Sequence, residues 1–519
     1  MGKIVIDPVT RIEGHLKIEC VVENGVVKDA RATGNLFRGL ELILRGRDPR
    51  DAQIITQRIC GVCPQSHGIA ATLNLDSAFG IADKIPDNGR IIRNLIHGAH
   101  VVQDHILHFY HLAALDYVNV ADVATYEGND SQLNSIKDFI QRGALEPFLP
   151  RYEGDYRLPP AVNQQAVAHY VKALEMRRIG HEAVAIFSGK VPHSVGVVPG
   201  GVTSTPTADN IMAYIWKMKI LQDFIDNVYI PDVLAVAGVY SDYAGIGVGC
   251  KNLLSYGSYD LDGKSANYAT RERLFKQGVV GADLKPAPID TGKITEQVKH
   301  SWYEDSITNR HPSQGDTKPR YGKPGAYSWA KAPRYDGKVY EVGPLARVAV
   351  TYAKGDPRMK KMVESSLAAL KASPAALFSV LGRHLARALS AKFIADNLES
   401  WALSLKPGEP AYTEYELPEQ ATGMGIIEGA RGALGHWIEI KDKKIANYQA
   451  VVPTTWNVSP MDDKGQHGPI EQALIGTKVK DEKNPFEVVR IVRSFDPCIA
   501  CAVHFVTPKG RDLGKFRVV

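Results

Sequence analysis

Two pairs of cysteines, one near each end of the chain, constrain this sequence more than any other feature. Cys60 and Cys63 form one Cys-x-x-Cys pair, and Cys498 and Cys501 form the other near the end of the 519 residues. Two thiols at this spacing can converge on one metal, and four thiolates favour zinc, iron–sulfur, or nickel and iron. If both pairs bind one centre, the two ends of the chain must meet in the fold.

The residues around the pairs predict how the thiols are presented. Gly61 permits a tight backbone path in the first pair, and His67 follows close behind it. Asp496 and Pro497 suit the cap and first position of a helix, whose amide dipoles would favour a thiolate at Cys498. The sequence therefore predicts two cysteine pairs that ionise readily.

The composition is that of a globular protein, with 44% hydrophobic and 23% charged residues. The net charge of +5 comes without a clustered basic run, so no nucleic-acid partner is expected. No apolar stretch is long enough to span a bilayer, and the first residues lack the apolar core of a secretion signal. Six cysteines are too few for a disulfide scaffold, and we expect Cys20 and Cys250 to be small buried hydrophobic side chains.

A structural zinc site is the simplest alternative interpretation of the cysteines. The two pairs of such a site usually lie about 15 to 20 residues apart, whereas these pairs lie at opposite ends of the chain. A thioredoxin-like redox pair is less favoured, because neither pair sits between a strand and a helix of a βαβ unit. The thiols alone do not choose between zinc and a redox metal.

Periodic apolar residues predict that much of the chain is helical. A β-hairpin around Asn24 and Gly25 opens the sequence, because this residue pair favours a turn with positive φ. A second strand pair is expected at 435–441 and 445–452, and a short helix at 485–493. The predicted long helices cover 88–115 with Asp87 as cap, 161–187, 208–237, 356–371 and 374–403.

The predicted fold class is mixed and mainly α, with a core of long helices in a bundle and small sheets and β-hairpins at the periphery. Residues 238–344 are rich in Gly, Tyr, Lys and Pro and predict irregular structure with short strands. The sequence shows no clear linker and no internal repeat. Because the ends must meet, residues 1–504 are predicted to form one interwound domain.

Three sequence motifs accompany the cysteine pairs. Arg38-Gly-Leu-Glu41 precedes Arg58-Ile-Cys-Gly-Val-Cys63, and a segment from Asp496 to His504 contains the second pair. Together these motifs resemble the paired signature of nickel–iron hydrogenase large subunits. The resemblance extends over essentially the whole chain, through the segments 7–15, 104–112, 431–437 and 452–457.

The resemblance implies a nickel–iron centre that cleaves H2 heterolytically and reversibly to protons and electrons. Cys60 and Cys498 would bind nickel terminally, and Cys63 and Cys501 would bridge nickel to iron. The iron would carry carbon monoxide and two cyanides, which maturation proteins supply. Because position 498 is a cysteine, no selenium variant is expected.

The resemblance also implies roles for residues around the metals. Glu13 would accept a proton from a terminal cysteine, a role suited to a carboxylate. Arg431 would lie over the open side of the metals and donate to a cyanide, oriented by Asp104 and Asp496. Thr454 would donate to the other cyanide. Outside these motifs, the simpler interpretation of Glu13 is a surface glutamate and that of Thr454 is an ordinary strand threonine. Arg431 and its aspartates would then form an ordinary salt-bridge cluster.

A second metal site, for magnesium or a similar ion, follows from the same resemblance. Glu41, the backbone carbonyl of Ala450 and His504 match its ligands in the family.

One residue departs from the family pattern: Ala430 stands where proline is usual, which frees the preceding backbone and leaves a little extra space beside the metals. This departure affects the expected placement of Arg431.

The resemblance further implies processing and partners. Residues 505–519 would be a C-terminal propeptide that an endopeptidase removes after metal insertion, with the help of a maturation chaperone, so the sequence is expected to be that of a precursor. Electrons would leave through an iron–sulfur small subunit, because Cys20 and Cys250 are too few for a relay, and a membrane cytochrome would follow that subunit. We expect a periplasmic, membrane-associated enzyme exported with its partner, the alternative being a cytoplasmic one.

Two competing functions can be weighed from the same residues. A degenerate relative in a respiratory complex would have lost the metal site, whereas all four cysteines are present. A zinc-stabilised structural protein would need the cysteines but has no use for Glu13, Arg431 or a removable tail. The sequence therefore favours the hydrogenase.

Overall fold

Helices form the centre of the molecule, in a computed structural model that describes residues 2–143, 155–263, 265–268 and 270–502. The helices are α1 (Leu40–Leu44), α2 (Asp51–Thr56), α3 (Pro64–Ala78), α4 (Asp87–Leu107), α5 (Ser131–Gln141), α6 (Pro160–Ser188), α7 (Ala208–Phe224), α8 (Ile230–Val239), α9 (Pro344–Ala353), α10 (Pro357–Ala369), α11 (Val380–Leu403), α12 (Pro453–Asn457), α13 (Pro469–Leu474), α14 (Phe486–Ser494) and α15 (Ile499–Ala502).

The strands are short and form several small sheets. They are β1 (Gly2–Ile6), β2 (Leu16–Glu23), β3 (Val26–Gly34), β4 (Phe37–Arg38), β5 (Val197–Val198), β6 (Gly201–Val202), β7 (Leu253–Ser255), β8 (Ser258–Asp260), β9 (Arg273–Phe275), β10 (Gly278–Val280), β11 (Pro286–Ala287), β12 (Ile294–Gln297), β13 (Ala332–Tyr335), β14 (Gln420–Gly429), β15 (Gly432–Lys441) and β16 (Lys444–Val451). The fold is thus mixed and mainly α, which confirms the predicted class. The described residues between the end of α8 at Val239 and the start of α9 at Pro344 form short strands, 3₁₀ turns and loops, as predicted.

The long helices pack against one another as the predicted bundle. α4 contacts α6 and α11, and α7 contacts the same two helices. Nearly every side chain of α4 is buried, so this helix lies at the centre of the bundle. The prediction that Asp87 caps α4 is wrong. Pro86 occupies the cap position, and Asp87 instead lies in the first turn, where its carboxylate is 2.8 Å from Arg90.

Two predicted helices are interrupted by wider, π-helical turns. The α-helical part of α4 ends at Leu107, and the chain continues as the π-helical turn His108–Ala113. A second such turn, Ile225–Tyr229, separates α7 from α8. Pro231 lies at the start of α8 and has no N–H to donate, which explains why one continuous α-helix does not form there.

The last predicted long helix starts later than its apolar pattern indicates. Pro374–Leu377 form a 3₁₀ turn, and α11 begins only after Ser379. The Ser379 hydroxyl accepts a hydrogen bond from the Gly382 N–H at 3.0 Å, a standard helix cap.

Within the described residues, no helix is long and apolar enough to cross a membrane.

The N-terminal sheet has the strand order β1-β2-β3, with antiparallel neighbours. Asn24 and Gly25 join β2 to β3, and both have the positive φ (52° and 71°) that the predicted turn requires. The short helix predicted at 485–493 corresponds to α14, and the predicted second strand pair corresponds to β15 and β16. These three predictions are confirmed.

Strand β14 is the main element that the sequence pattern did not reveal. It pairs with β15 and packs against α3. A Cβ added at Gly423 would lie 2.3 Å from Asn74 O, and one at Gly425 would lie 2.2 Å from Ala70 O. The glycines allow this close packing of strand on helix, but they also interrupt the alternation of apolar residues by which strands are recognised.

The two ends of the chain meet, as the cysteine pairs require. Glu13 and Cys498 form an isolated parallel bridge, in which the Ile499 N–H donates to Glu13 O at 2.8 Å. β3 also contacts α13, near the end of the chain. The N-terminal and C-terminal segments are therefore interwound, and together they enclose the candidate site.

Candidate metal centre

The four predicted cysteines lie together in the interior. The Sγ atoms of Cys60, Cys63, Cys498 and Cys501 are all within 4.8 Å of one another, and all four residues are buried. Cys60 Sγ is 3.3 Å from Cys498 Sγ, and Cys63 Sγ is 3.2 Å from Cys501 Sγ. Each thiol of the first pair thus faces a thiol of the second, so one centre can bind all four.

The first pair is presented by the N-terminus of α3. Cys63 is the residue before the helix, and Pro64 occupies its first position, which suits proline because no N–H is needed there. Gly61 has no positive φ, and a Cβ there would meet nothing within 4 Å. The turn therefore does not require glycine at position 61, and the bonds from the Val62 and Cys63 N–H groups to Cys60 Sγ shape it.

The second pair is presented differently from the prediction. Asp496 has φ of 57° and does not cap a helix, because its carboxylate faces Arg431. α15 is only four residues long and begins after Cys498. The predicted helix cap at Asp496 and Pro497 is therefore wrong, and within this cluster of thiols burial raises the pKa of Cys498 well above its ordinary value. Burial opposes ionisation of Cys60 as well, but hydrogen bonds from the other three thiols lower its pKa.

Glu13 lies directly against the second pair. The Cys498 thiol is 3.2 Å from Glu13 Oε2, and the Ala500 N–H donates to the same oxygen at 2.8 Å. Burial raises the pKa of the Glu13 carboxyl, and the nearby charge of Cys60 adds to this effect. A carboxyl group in this environment holds a proton more readily than one on the surface.

Arg431 is buried beside the thiols and held by two carboxylates. Its Nη2 donates to Asp496 Oδ1 at 3.1 Å and its Nε to Asp496 O at 3.1 Å, while Nη1 lies 3.4 Å from Asp104 Oδ2. Burial raises the pKa of Asp104 to about 6, against the lowering effect of Arg431. Both predicted aspartates thus contact the guanidinium beside the thiols.

A small cavity lies next to Cys63 and Cys501. Its volume is about 10 Å³, and its walls include Ala430, Arg431 and Thr454. The Thr454 hydroxyl accepts the Cys498 N–H at 3.1 Å, which leaves its own proton free to donate elsewhere. The cavity thus has hydrogen-bond donors on its wall, and Ala430 forms part of that wall.

The predicted magnesium ligands are only partly within the described residues. Glu41 Oε1 accepts the N–H of Ala450 at 3.0 Å, and Thr317 donates to its other oxygen, whereas His504 lies outside the described ranges. Burial opposes the charge of Lys331 nearby, but Glu296 and Glu41 outweigh burial and raise its pKa. The carboxylates here are thus compensated by a buried lysine.

Arg38 belongs to a recognised motif, but sequence reasoning gave it no role. Its guanidinium donates to the carbonyls of Arg58 (3.0 Å) and Ile59, just before the first cysteine pair, and to Ala500 O (2.9 Å), within the second. Arg38 thus links the backbones of both cysteine segments. Its position 22 residues before Cys60 carries no signal of this contact, which only the fold creates.

The histidines and the remaining cysteines differ in their surroundings. His67 Nε2 lies 3.4 Å from Cys501 Sγ, and burial lowers the pKa of His67 to about 4, so the ring is neutral near pH 7. Cys20 is buried, as expected, but Cys250 is only half-buried, in a loop where its thiol faces Asn252 O. In the part of the chain that the structure describes, only Cys60, Cys63, Cys498 and Cys501 group as possible metal ligands.

Comparisons with known proteins agree with this geometry. A family model for nickel-dependent hydrogenase matches residues 38–504, and a second model, described as HoxL-like, matches residues 3–33. The large subunit of the periplasmic NiFeSe hydrogenase of Desulfomicrobium baculatum is 45% identical over 507 residues, which cover 97% of this chain and 95% of the relative. The Hydrogenase-2 large chain of Escherichia coli (strain K12) is 38% identical over 572 residues and is matched over 100% of both chains.

A solved structure supports the same relationship. The Ni-Fe-Se hydrogenase from D. vulgaris Hildenborough in the reduced state superposes with a TM-score of 0.85 at 44% identity, covering 97% of this chain and 100% of that one. The chain belongs to the nickel-dependent hydrogenase family, in which its relatives are large subunits. It is accordingly a nickel–iron hydrogenase subunit, an oxidoreductase that acts on hydrogen, as its motifs predicted.

Proposed function

We propose that this chain is the catalytic subunit that cleaves H2 heterolytically and reversibly at a nickel–iron centre bound by Cys60, Cys63, Cys498 and Cys501. The observation that carries the proposal is the cluster of four buried Sγ atoms within 4.8 Å of one another. Cys60 and Cys498 are proposed as terminal nickel ligands, and Cys63 and Cys501 as the bridge to iron.

The residues present fit such a centre. Four thiolates are a soft donor set suited to nickel and iron. The small cavity lies beside Cys63 and Cys501, the proposed bridging thiols, and Arg431 and Thr454 on its wall supply hydrogen-bond donors. We propose that the iron would carry carbon monoxide and two cyanides. One cyanide would accept a hydrogen bond from Arg431, and the other would accept one from Thr454. When bound, the metals would supply the site at which H2 is polarised and its electrons accepted.

The protein contributes proton handling and positioning. We propose that Glu13 takes a proton from Cys498, because its Oε2 is 3.2 Å from that sulfur and its pKa is raised by burial. Asp104 and Asp496 hold Arg431 over the same site, so its charge stays beside the thiolates. The buried surroundings also exclude bulk water from the thiols.

A magnesium or similar ion is proposed for the site at Glu41. Its ligands would be the Glu41 carboxylate, the carbonyl of Ala450 and His504, with water completing the shell. Glu41 and Ala450 are adjacent, with the Ala450 N–H donating to Glu41 Oε1 at 3.0 Å. We propose that this ion ties the C-terminal segment to the rest of the fold.

Partners and processing complete the proposal. An iron–sulfur small subunit would carry electrons away, since among the described residues only one group of possible metal ligands occurs. Residues 1–504 would be the mature, single-domain subunit, and 505–519 a propeptide that an endopeptidase removes with the help of a maturation chaperone. One relative is named periplasmic, and we propose a periplasmic, membrane-associated enzyme, with a membrane cytochrome as electron acceptor.

Infrared spectroscopy of the purified complex tests the proposal. We expect stretching bands of metal-bound carbon monoxide and cyanide, together with nickel and iron by elemental analysis. Cys498→Ser should remove nickel and the infrared bands. The protein should stay folded, because in a hydrogenase of this size the hydrophobic core, and not this metal ligand, holds the fold together. Zinc in place of nickel and iron, with no such bands, would overturn the proposal in favour of a structural zinc protein.

A further inference from the structure

A line of three hydrogen bonds joins a buried tyrosine to Cys501. His67 Nε2 lies 3.4 Å from Cys501 Sγ, and His67 Nδ1 lies 3.3 Å from His436 Nε2. His436 Nδ1 lies 2.7 Å from the Tyr448 hydroxyl. All four side chains are buried, so bulk water does not compete for these bonds.

The line spans three rigid elements. His67 lies in the first turns of α3, His436 on β15 and Tyr448 on β16. β15 and β16 are neighbouring antiparallel strands, and α3 packs against β15. Backbone hydrogen bonds of the sheet therefore hold His436 and Tyr448 in place relative to His67, which is the condition for directional hydrogen bonds between side chains.

The direction of the line follows from the chemistry of its ends. A neutral imidazole donates through one nitrogen and accepts through the other. A thiolate that bridges two metals, as proposed for Cys501, has no proton to donate and can only accept a hydrogen bond. With metal on Cys501, His67 Nε2 must donate to sulfur, His67 Nδ1 must accept from His436 Nε2, and His436 Nδ1 must accept from Tyr448. The tyrosine hydroxyl is the donor that closes this arrangement.

We propose that His436 and Tyr448 are positioning residues for the metal centre, which keep His67 in the tautomer that donates to the Cys501 sulfur. A hydrogen bond to a thiolate withdraws charge from sulfur and thereby from the metals that it bridges. The tyrosine thus influences the electron density of the centre without touching it. The inference rests on the proposed nickel–iron function and deepens it.

The test uses Tyr448→Phe in the intact complex of large and small subunits. Loss of the hydroxyl removes the hydrogen bond that Tyr448 makes to His436 Nδ1, so the tautomers of His436 and His67 are less strongly fixed and His67 can adopt the one that does not donate to sulfur. We expect the carbon monoxide band to move to lower frequency, or a second set of bands to emerge, with nickel and iron content unchanged. The matched control is Tyr214→Phe on α7, which removes a buried hydroxyl that donates to Leu95 O at 2.8 Å and takes no part in this line, and which should leave the bands in place.

The outcomes separate this inference from the proposed function. Wild-type protein without carbon monoxide and cyanide bands would overturn both. Bands that are present in the wild type but identical in metal-loaded Tyr448→Phe, or shifted equally in Tyr214→Phe, overturn the positioning role alone. If Tyr448→Phe does not load metal, the infrared spectra of His436→Gln and His436→Leu are compared instead. A glutamine N–H can still donate to His67, so only His436→Leu should shift the bands, and equal spectra for the two overturn the inference.

Discussion

The two cysteine pairs reach the same centre by different physical means. Cys63 leads directly into α3, a helix of 15 residues that packs on β14. Cys498 precedes α15, a helix of four residues, and its backbone is held by side chains from distant parts of the chain. Thr454 accepts the Cys498 N–H, and the Glu13 carboxylate accepts the Ala500 N–H.

This difference separates stability from chemistry. The first pair depends on helix formation and on tight packing of helix against strand, which are properties of the core. The second pair depends on polar contacts that individual side chains provide, several of which also belong to the proposed mechanism. Substitutions at the first segment should therefore act mainly through stability, and those at the second mainly through site geometry and activity.

The largest expected effect is on activity, from Glu13→Gln at the second pair. Glutamine can still accept the Ala500 N–H through its carbonyl oxygen, but it cannot take up a proton. We expect H2 oxidation to fall by roughly 100-fold or more, with nickel content and melting temperature near wild type. Glu23→Gln, at the end of β2, is the control and should stay fully active. Near wild-type turnover of Glu13→Gln would refute its proton-relay role.

The next largest effect is on stability, from Gly425→Ala behind the first pair. The new Cβ would lie 2.2 Å from Ala70 O of α3, so strand and helix must separate. We expect the free energy of unfolding to fall by about 1–3 kcal/mol in denaturant titrations. Gly61→Ala provides the contrast, because a Cβ there meets nothing within 4 Å, and should leave stability unchanged. Equal stability of the two variants would show that the packing of α3 against β14 does not hold the first cysteine pair in place.

A smaller and more local effect is expected from Thr454→Val at the second pair. The substitution removes the acceptor of the buried Cys498 N–H and leaves that group unpaired. We expect a loss of about 1 kcal/mol or somewhat more in unfolding free energy. Hydrogen exchange at the Cys498 amide should also become faster. Thr455→Val, at the neighbouring buried position, is the control; an equal change in both variants would argue that the hydroxyl bond is unimportant.

The smallest effect concerns pH and the polar contacts around α13, on the C-terminal side. Glu471 accepts from His467 Nδ1 at 2.8 Å and from the Ala32 N–H of β3 at 3.0 Å, and its hydrogen bond raises the pKa of His467. The stabilisation by charged His467 is complete below the unfolded-state pKa of about 6.5 and is lost as pH rises through the higher folded-state pKa.

His467→Gln measures this contribution. Because His467 is partly exposed, we expect the free energy of unfolding of the wild type to exceed that of the variant by less than about 1 kcal/mol at about pH 5.5. At about pH 9 the two free energies should be equal. Chemical denaturation at the two pH values gives the difference. A stability difference that grows with pH would have the wrong sign for this ion pair.

Local sequence patterns predicted the elements but not all of their limits. The hairpin at Asn24 and Gly25 and the long helices follow from turn chemistry and apolar periodicity. The π-helical turns and the late start of α11 were not predicted, because hydrogen bonds shift locally where a proline removes a donor or a serine caps the helix. β14 was missed because its glycines, needed for contact with α3, break the strand pattern.

The sequence by itself determined the class of site: two thiol pairs, their metal preference and, through the motifs, the family. Only the tertiary structure decided which groups surround the thiols. The contacts of Glu13 with Cys498, of Arg38 with both cysteine segments, and of Tyr448 with Cys501 through two histidines join residues far apart in the chain. No local pattern specifies such contacts, because they form only when packing of the whole core brings the two ends together.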